Sequence, residues 1–241
     1  MSRVLPDLVL PGGPLAVWTD LHLRPEAPAE IAAFAAQVEA VSADTTLLLL
    51  GDLFDAWTGP ETFRSTAFEP LRAALQARRQ AGQRSILLRG NRDVLLRPAQ
   101  APTVGMEIAD RVLWEPPNGA GKVLFSHGDE YCLNDAPYQR LRRTLRRPSV
   151  RGLLRALPAP VRTWMGRRMR SHSQEAVARK PLNVLALELD AARSALEAVG
   201  AQHAVIGHLH APAEHDLGAG QRLQVLPAWE PGQAAWTGSP A

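Results

Sequence analysis

The sequence predicts an α/β fold, a layered core of one domain interrupted by a helical insertion, and three observations carry that reading. Short apolar runs alternate with helical stretches in the order strand, helix, strand, helix, strand up to Asn91. Five apolar runs end in polar groups of one kind: Asp20-Leu21-His22, Gly51-Asp52, Gly90-Asn91, His127-Gly128-Asp129 and Gly207-His208-Leu209-His210. Between Asn134 and Lys180 the alternation stops, and an arginine-rich, helix-patterned stretch broken by Pro148, Pro158 and Pro160 takes its place. The division predicted is a core of residues 1–133 and 181–241 with an insertion at 134–180.

Leu15 to Thr19 is bounded by Gly12-Gly13-Pro14 and runs straight into polar residues, the mark of a short buried strand. Pro28 to Val41 is alanine-rich with helical apolar spacing, and Thr45 to Leu50 is the next strand. A helix over about Glu69–Ala81, stopped by Gly82, leads to a strand at Ser85–Leu88. Strands follow at Val112–Trp114 and Lys122–Ser126. Leu182 to Val199 reads as a helix stopped by Gly200, feeding a strand at Ala204–Ile206. In the tail, Arg222–Leu226 and Ala234–Trp236 suggest a closing hairpin or meander.

With 241 residues and 46% apolar content the chain can bury a substantial core. Neither a membrane-spanning apolar run nor an amino-terminal signal pattern is present, so a cytoplasmic protein is expected. One cysteine, Cys132, excludes an intramolecular disulfide framework and a multi-thiolate zinc site. The net charge of +3 conceals eleven arginines and no acidic residue between Ala136 and Gln174, so the partners of that segment should be anionic.

Taken singly, an Asp-x-His pair or a lone histidine is weak, and each adjoining glycine is an ordinary turn residue. Their recurrence at strand ends, where open α/β sheets converge on ligands, is what points to one site. Residues i and i+2 of an extended segment point the same way, so Asp20 and His22 can bind one ion together, as can His208 and His210 within one loop. Carboxylates, imidazoles and an amide oxygen suit manganese, iron, zinc or cobalt rather than a thiolate-preferring metal.

The ordered series Asp20-Leu21-His22, Gly51-Asp52-Leu53-Phe54-Asp55, Gly90-Asn91-Arg92-Asp93, His127-Gly128-Asp129 and Gly207-His208-Leu209-His210 resembles the calcineurin-like metallophosphoesterases over almost the whole chain. That resemblance implies a mixed β-sandwich flanked by helices and a dinuclear site. It implies one metal held by Asp20, His22, Asp52 and His210, and the other by Asp52, Asn91, His127 and His208, with Asp52 bridging. Two divalent ions against two carboxylates leave a cationic site suited to phosphate and hydroxide, hence hydrolysis at phosphorus. Catalytic roles fall to Asp52, Asn91, Arg92 and His127.

Many relatives carry a histidine where Arg92 stands. Arginine is a poor proton donor, but its planar fork suits phosphate. Such a site favours a leaving group that needs no proton, such as a phosphate monoester with a second pKa of about 6, and hence a pyrophosphate. The bland reading is that Arg92 ties down its loop through Asp93 or Asp55. The stretches around Asp20, Gly51–Trp57, Gly90–Asp93 and His127–Gln139, with Leu157-Pro158, Arg162 and Arg170–Glu175, resemble the UDP-2,3-diacylglucosamine pyrophosphatase branch of lipid A biosynthesis. By that resemblance the reaction occurs at the α-phosphorus and yields UMP and diacylglucosamine 1-phosphate, usually with manganese (Mn2+). Arg92, Asp135, Tyr138, Arg170, Ser173 and Lys180 then line the substrate site. Pro60-Glu61, Leu209 and Val177 depart from the branch's pattern, and none of them is an expected metal ligand.

In the insertion, Leu141, Leu145, Val150, Leu153, Leu154, Leu157, Val161, Trp164, Met165 and Met169 supply apolar helix faces. Such stripes are usually core, but a cap of about 45 residues buries little apolar surface alone. An acyl-chain groove edged by arginines, peripheral on the anionic cytoplasmic face of the inner membrane, uses both features. The competing readings are a metallophosphodiesterase or nucleotide pyrophosphatase acting on an unacylated substrate, and a nuclease subunit. Nucleic acid is not expected, since the insertion offers one Trp and one Tyr for base stacking.

Overall fold

The computed structural model describes residues 5–117, 119, 121–166, 168 and 187–238. Its core is a sandwich of two sheets with helices on both outer faces. One sheet contains β2 (Leu15–Trp18), β3 (Thr46–Leu49), β4 (Ser85–Leu88) and β5 (Glu107–Ala109), in that order and all parallel. The other has the order β1 (Leu8–Leu10), β6 (Arg111–Trp114), β7 (Val123–Ser126), β8 (His203–Ile206), β10 (Gln221–Val225) and β9 (Ala213–Gly218), with β6/β7 and β9/β10 antiparallel. The expected parallel sheet is thus half of a mixed sandwich.

Leu48, Leu50, Ile86 and Leu88 of the first sheet meet Val112, Trp114, Val123, Phe125 and Val205 of the second in the layer between them. The residues that alternate with these, Leu47, Leu49 and Leu87, face outward onto α1 (Pro28–Ala40) and α3 (Glu69–Gln80) through Ile31, Phe34, Val38, Leu71 and Leu75. Burial on both faces explains why β2 is apolar throughout and why β3 and β4 are apolar after their first residues, Thr46 and Ser85. The helix Leu189–Val199 covers the outer face of the second sheet with Ala192, Ala195 and Leu196. It ends at Gly200, whose φ of 65° is the left-handed conformation that a helix stop needs.

Three differences from the sequence reading have physical causes. Of the helix expected over Leu182–Val199, the part at 182–186 lies outside the described residues; Leu187 and Glu188 are not helical, Glu188 being extended and pinned by its N–H to the Tyr131 carbonyl and by Asn134 at its carboxylate, and the helix runs from Leu189. The closing hairpin forms between β9 and β10, across Ala219-Gly220, both at positive φ, a backbone that matches the twist of paired strands. Trp236 instead bridges antiparallel to Val17 of β2 and donates its indole N–H to Gln224. Strands β1, β5 and β9 were not expected.

The described part of the insertion is helical: α5 (Ala136–Leu145), α6 (Pro148–Ala156) and a third stretch at 159–166. Its carboxyl boundary lies outside the described residues. Asp129, fully buried, ties it to the core by accepting from Tyr138 Oη at 2.7 Å and Arg142 Nε at 2.6 Å. Arg162 reaches Glu61 at 2.5 Å and the Thr58 carbonyl at 2.7 Å, so the Pro60-Glu61 departure is an anchor for the cap.

Candidate metal centre

Five loops meet where β2, β3 and β4 of one sheet and β7 and β8 of the other reach their carboxyl ends. The meeting is built by backbone hydrogen bonds between loops: Asp20 N to Gly51 O, His22 N to Asp52 O, and Gly207 N to His127 O, at 2.9–3.2 Å. Asp20 Oδ2 accepts from His208 N and Thr19 Oγ1, both at 2.7 Å, while Asp52 Oδ1 accepts from Arg92 N at 2.8 Å. Asp93, missed as a candidate although it closes the Gly90-Asn91-Arg92-Asp93 motif, is fully buried and takes the N–H of Gly90 at 2.6 Å and of Leu53 at 3.1 Å.

Two glycines are required here by close approach. A Cβ on Gly90 would lie 2.1 Å from Asp52 Oδ1, and one on Gly207 would lie 1.9 Å from Thr19 Oγ1. The loops are also strained. Asp20, His22, Asp52, His208 and His210 all have φ between 48° and 68°, and Ala219 is the only other non-glycine described residue with positive φ. Backbone strain of this kind collects at functional sites.

The side chains converge as two overlapping groups. Asp20, His22 and His210 form one, with His210 Nε2 at 3.3 Å from Asp20 Oδ1 and 3.1 Å from His22 Nε2. Asp20, Asp52 and His127 form the other. Asp52 faces both halves, with Oδ2 at 3.8 Å from His22 Nδ1 and Oδ1 at 3.7 Å from His127 Nε2. Asn91 Oδ1 stands 3.0 Å from His127 Nε2. His208 belongs to neither group; its ring lies 5.0 Å from that of His127 and stacks at 6.1 Å with Tyr138.

These residues fit a pair of cations. His127 Nδ1 lies 2.9 Å from the Leu50 carbonyl, which can only accept, so Nδ1 carries the hydrogen. In the neutral ring the Nε2 lone pair then points at two further acceptors, Asn91 Oδ1 and Asp52 Oδ1, and a cation satisfies all three. Asp20 Oδ1 is buried without a hydrogen-bond partner. Burial, reinforced by Asp93 and Asp20 against the opposing charge of His127, pushes Asp52 up to about 7. For His127 burial pulls downward but Asp52, Asp20, Asp129 and Asp93 outweigh it, raising the ring to about 9. Burial takes His208 and His22 down to about 4, where they are neutral and able to bind metal.

A cavity of about 990 Å³, open mouth included, runs from Asn91, Arg92 and Asp55 at this centre to Leu141, Leu145, Leu154 and Met165 of the cap. Of the substrate contacts expected from the sequence, Arg92 and Tyr138 line it. Asp135 is buried and caps α5 by accepting from Tyr138 N at 3.2 Å, rather than lining the cavity. Arg170, Ser173 and Lys180 lie outside the described residues. Arg92 Nε is buried without a partner, and both oxygens of Asp93 are occupied by backbone N–H groups, which leaves the Arg92–Asp93 tie without support. The apolar stripe of the cap is split: Leu154 and Met165 face the cavity, whereas their neighbours Leu153 and Trp164 are 67% and 60% exposed.

Comparison with known proteins adds an independent line. The chain is 36% identical over 225 residues to a UDP-2,3-diacylglucosamine hydrolase of Bordetella parapertussis, covering 90% of this chain and 86% of the relative. A protein of the same name from Bordetella pertussis is 36% identical over 226 residues, with the same coverage. One from Escherichia coli O81 is 37% identical over 215 residues, covering 87% of this chain and 88% of the relative. The sequence profile described as calcineurin-like phosphoesterase matches residues 13–212, a span that holds all five ligand-bearing loops, and this chain belongs to that family.

Proposed function

We propose that the chain hydrolyses the pyrophosphate of UDP-2,3-diacylglucosamine at the α-phosphorus, giving UMP and 2,3-diacylglucosamine 1-phosphate. The observation that carries this reading is the single cavity joining the carboxylate–imidazole cluster to an apolar wall on the cap. The relatives named as hydrolases of that acylated nucleotide sugar support it. Asp20, His22, Asp52, Asn91, His127, His208 and His210 hold two divalent ions, with Mn2+ suited to this oxygen and imidazole set. Such ions supply Lewis acidity at the phosphorus and a nucleophilic water at neutral pH.

The chain's own groups do the rest. Arg92, with Nε free at the cavity's metal end, holds the diphosphate by its fork. The departing sugar phosphate leaves as an anion, so no proton donor is needed at the position of Arg92. Leu141, Leu145, Leu154 and Met165 shelter acyl methylenes, and that remote binding places the phosphorus at the metal cluster. The cap exposes both apolar side chains, Leu153, Val161 and Trp164, and arginines, Arg140, Arg143 and Arg147, a composition suited to the anionic cytoplasmic leaflet. No helix among the described residues is long and apolar enough to cross a membrane.

The test is release of UMP from UDP-2,3-diacylglucosamine, UDP-N-acetylglucosamine and a simple phosphodiester, with Mn2+ and water labelled with heavy oxygen. The acylated substrate should be preferred and the label should enter UMP. Preference for the simple diester, or label in the sugar phosphate, overturns the reading.

A further inference from the structure

Where the cap meets the core beside β4 and β5, two arginines share one carboxylate and three more arginines stand near that pair. Arg89 grips Asp110 with both ends of its fork, at 2.8 Å and 2.6 Å. Arg146 reaches the same carboxylate at 3.0 Å and the Arg89 carbonyl at 3.4 Å. Arg151, whose Nε donates to the Leu145 carbonyl at 3.3 Å next to Arg146, and Arg155 stand four residues apart on one face of α6, and the charge of Arg97 is felt at Arg155; Arg146 also lines the cavity described above. Asp7 is close, but its carboxylate is engaged by the backbone N–H groups of Asp110 and Arg111. Asp110 is the one acidic group among the described residues that pairs with these arginines in a salt bridge.

The cluster has unused binding capacity. Arg146 Nε and Arg155 Nε are buried without any hydrogen-bond partner. Burial, followed by the like charges of Arg89 and Arg146, lowers Arg151 to about 10, and Arg155 is lowered by burial and by Arg97 and Arg89. Like charges four apart also oppose the helix that carries them. A tetrahedral oxyanion relieves each of these costs at once, accepting from orphaned guanidinium N–H groups and offsetting the surplus charge.

We propose that Arg89, Arg97, Arg146, Arg151 and Arg155 form a second oxyanion site, separate from the metal centre, that takes a phosphate group. Free phosphate and the headgroup phosphate of an anionic lipid share that chemistry, and the experiment separates them. The variant is Arg151→Gln with Arg155→Gln in the metal-loaded enzyme. Its charge-matched control is Arg64→Gln with Arg79→Gln, which removes two exposed arginines of the core that have no part in the cap's surface. Hydrolysis of a simple phosphodiester should be unchanged in both, which establishes that fold and metal centre are intact. If the double Gln variant does not fold, Arg151→Lys with Arg155→Lys keeps the charge and removes the fork.

Calorimetric titration with inorganic phosphate should show two sites in the parent, one at the metals, and a single site in the cluster variant if free phosphate is the ligand. If a lipid headgroup is the ligand, affinity for phosphatidylglycerol-containing vesicles should fall by about tenfold or more in the cluster variant, the loss expected for charge-assisted hydrogen bonds, and far less in the control. Vesicles of phosphatidylcholine alone should not discriminate. A single phosphate site in the parent together with equal vesicle losses in both variants overturns the proposal, since it reduces the cluster to diffuse attraction. The result does not depend on which nucleotide sugar the metal centre cleaves.

Discussion

Leu154→Ala isolates the contribution of the cap's apolar wall to catalysis. Leu154 faces the cavity from α6 while Leu153, next to it, is 67% exposed, so the pair is a matched test and control on one helix. Truncation withdraws three carbons from the wall. At about 0.8 kcal/mol per buried methylene, complete loss of that contact weakens acyl binding by about 2.4 kcal/mol, and a wall open on one side retains roughly half or more of this. A loss of about 1–2 kcal/mol corresponds to about a fivefold to thirtyfold fall in kcat/KM. The assay compares kcat/KM for UDP-2,3-diacylglucosamine and for a simple phosphodiester in the same detergent, with bound metal measured in parallel. Leu154→Ala should impair the acylated substrate alone, and Leu153→Ala should leave both substrates near the parent value. Parallel loss on both substrates with metals retained would make the cap a brace for the core. Equal losses from Leu153→Ala and Leu154→Ala would show that the cavity is not where the acyl chains lie.

Other substitutions probe the remaining parts. Asp52→Asn keeps a side chain that tolerates left-handed φ but withdraws the charge facing both halves of the cluster, so metal content should fall below two per chain and turnover should nearly vanish; two retained ions with normal rates would refute the bridging role. Gly90→Ala forces a carbon to 2.1 Å from Asp52 Oδ1 and should cost metal affinity together with activity, read by metal titration and thermal melting. Arg92→Ala should slow pyrophosphate cleavage without removing an inflection from the pH–rate profile, and Arg92→His should not speed it; an inflection lost specifically with Arg92 contradicts a positioning role. Asp110 is held below its usual range because Arg146 and Arg89 overcome the upward push of burial. A depressed folded-state pKa stabilises above the unfolded value of 3.8 and loses that effect as pH falls through the lower folded value. Asp110→Asn should therefore flatten the acid limb of stability between 3.8 and the lower folded value, seen in melting temperature against pH, and an unaltered limb would remove Asp110 from the account.

What the sequence disclosed follows from where side chains are doubly constrained. Strands β2, β3 and β4 were legible because both faces are buried and all their positions but Thr46 and Ser85 are apolar; β4 matches its expected span of Ser85–Leu88. The candidate ligands were legible because each follows such a run. Strand β9, Ala213-Glu214-His215-Asp216-Leu217-Gly218, was not, since an edge strand buries only Leu217 and otherwise looks like a loop. β1 and β5, three residues each, fall below the length at which periodicity speaks. In the cap, sequence places Leu153 and Leu154 on one apolar stripe, but successive helical residues point about 100° apart, and only the position of the core decides which looks into the cavity. Left-handed φ at Asp and His has no signature at all, unlike at glycine, so the strain of the ligand loops emerged only from the backbone.

That strain bears on when the centre becomes rigid. Left-handed backbone costs about 1–2 kcal/mol per residue for side chains with a Cβ, and it is concentrated at Asp20, His22, Asp52, His208 and His210 while the strands beneath them are ordinary. If the centre holds two ions as proposed, withdrawing them leaves these turns only the hydrogen bonds between loops, whereas the sandwich keeps its packed layers. Amide hydrogens at 20–22, 52 and 208–210 should therefore exchange faster in chelator-treated protein, with β2, β3 and β4 protected as before. On the two-ion reading proposed above, the ions would act as the last cross-links of folding, joining loops that the chain brings together by hydrogen bonds.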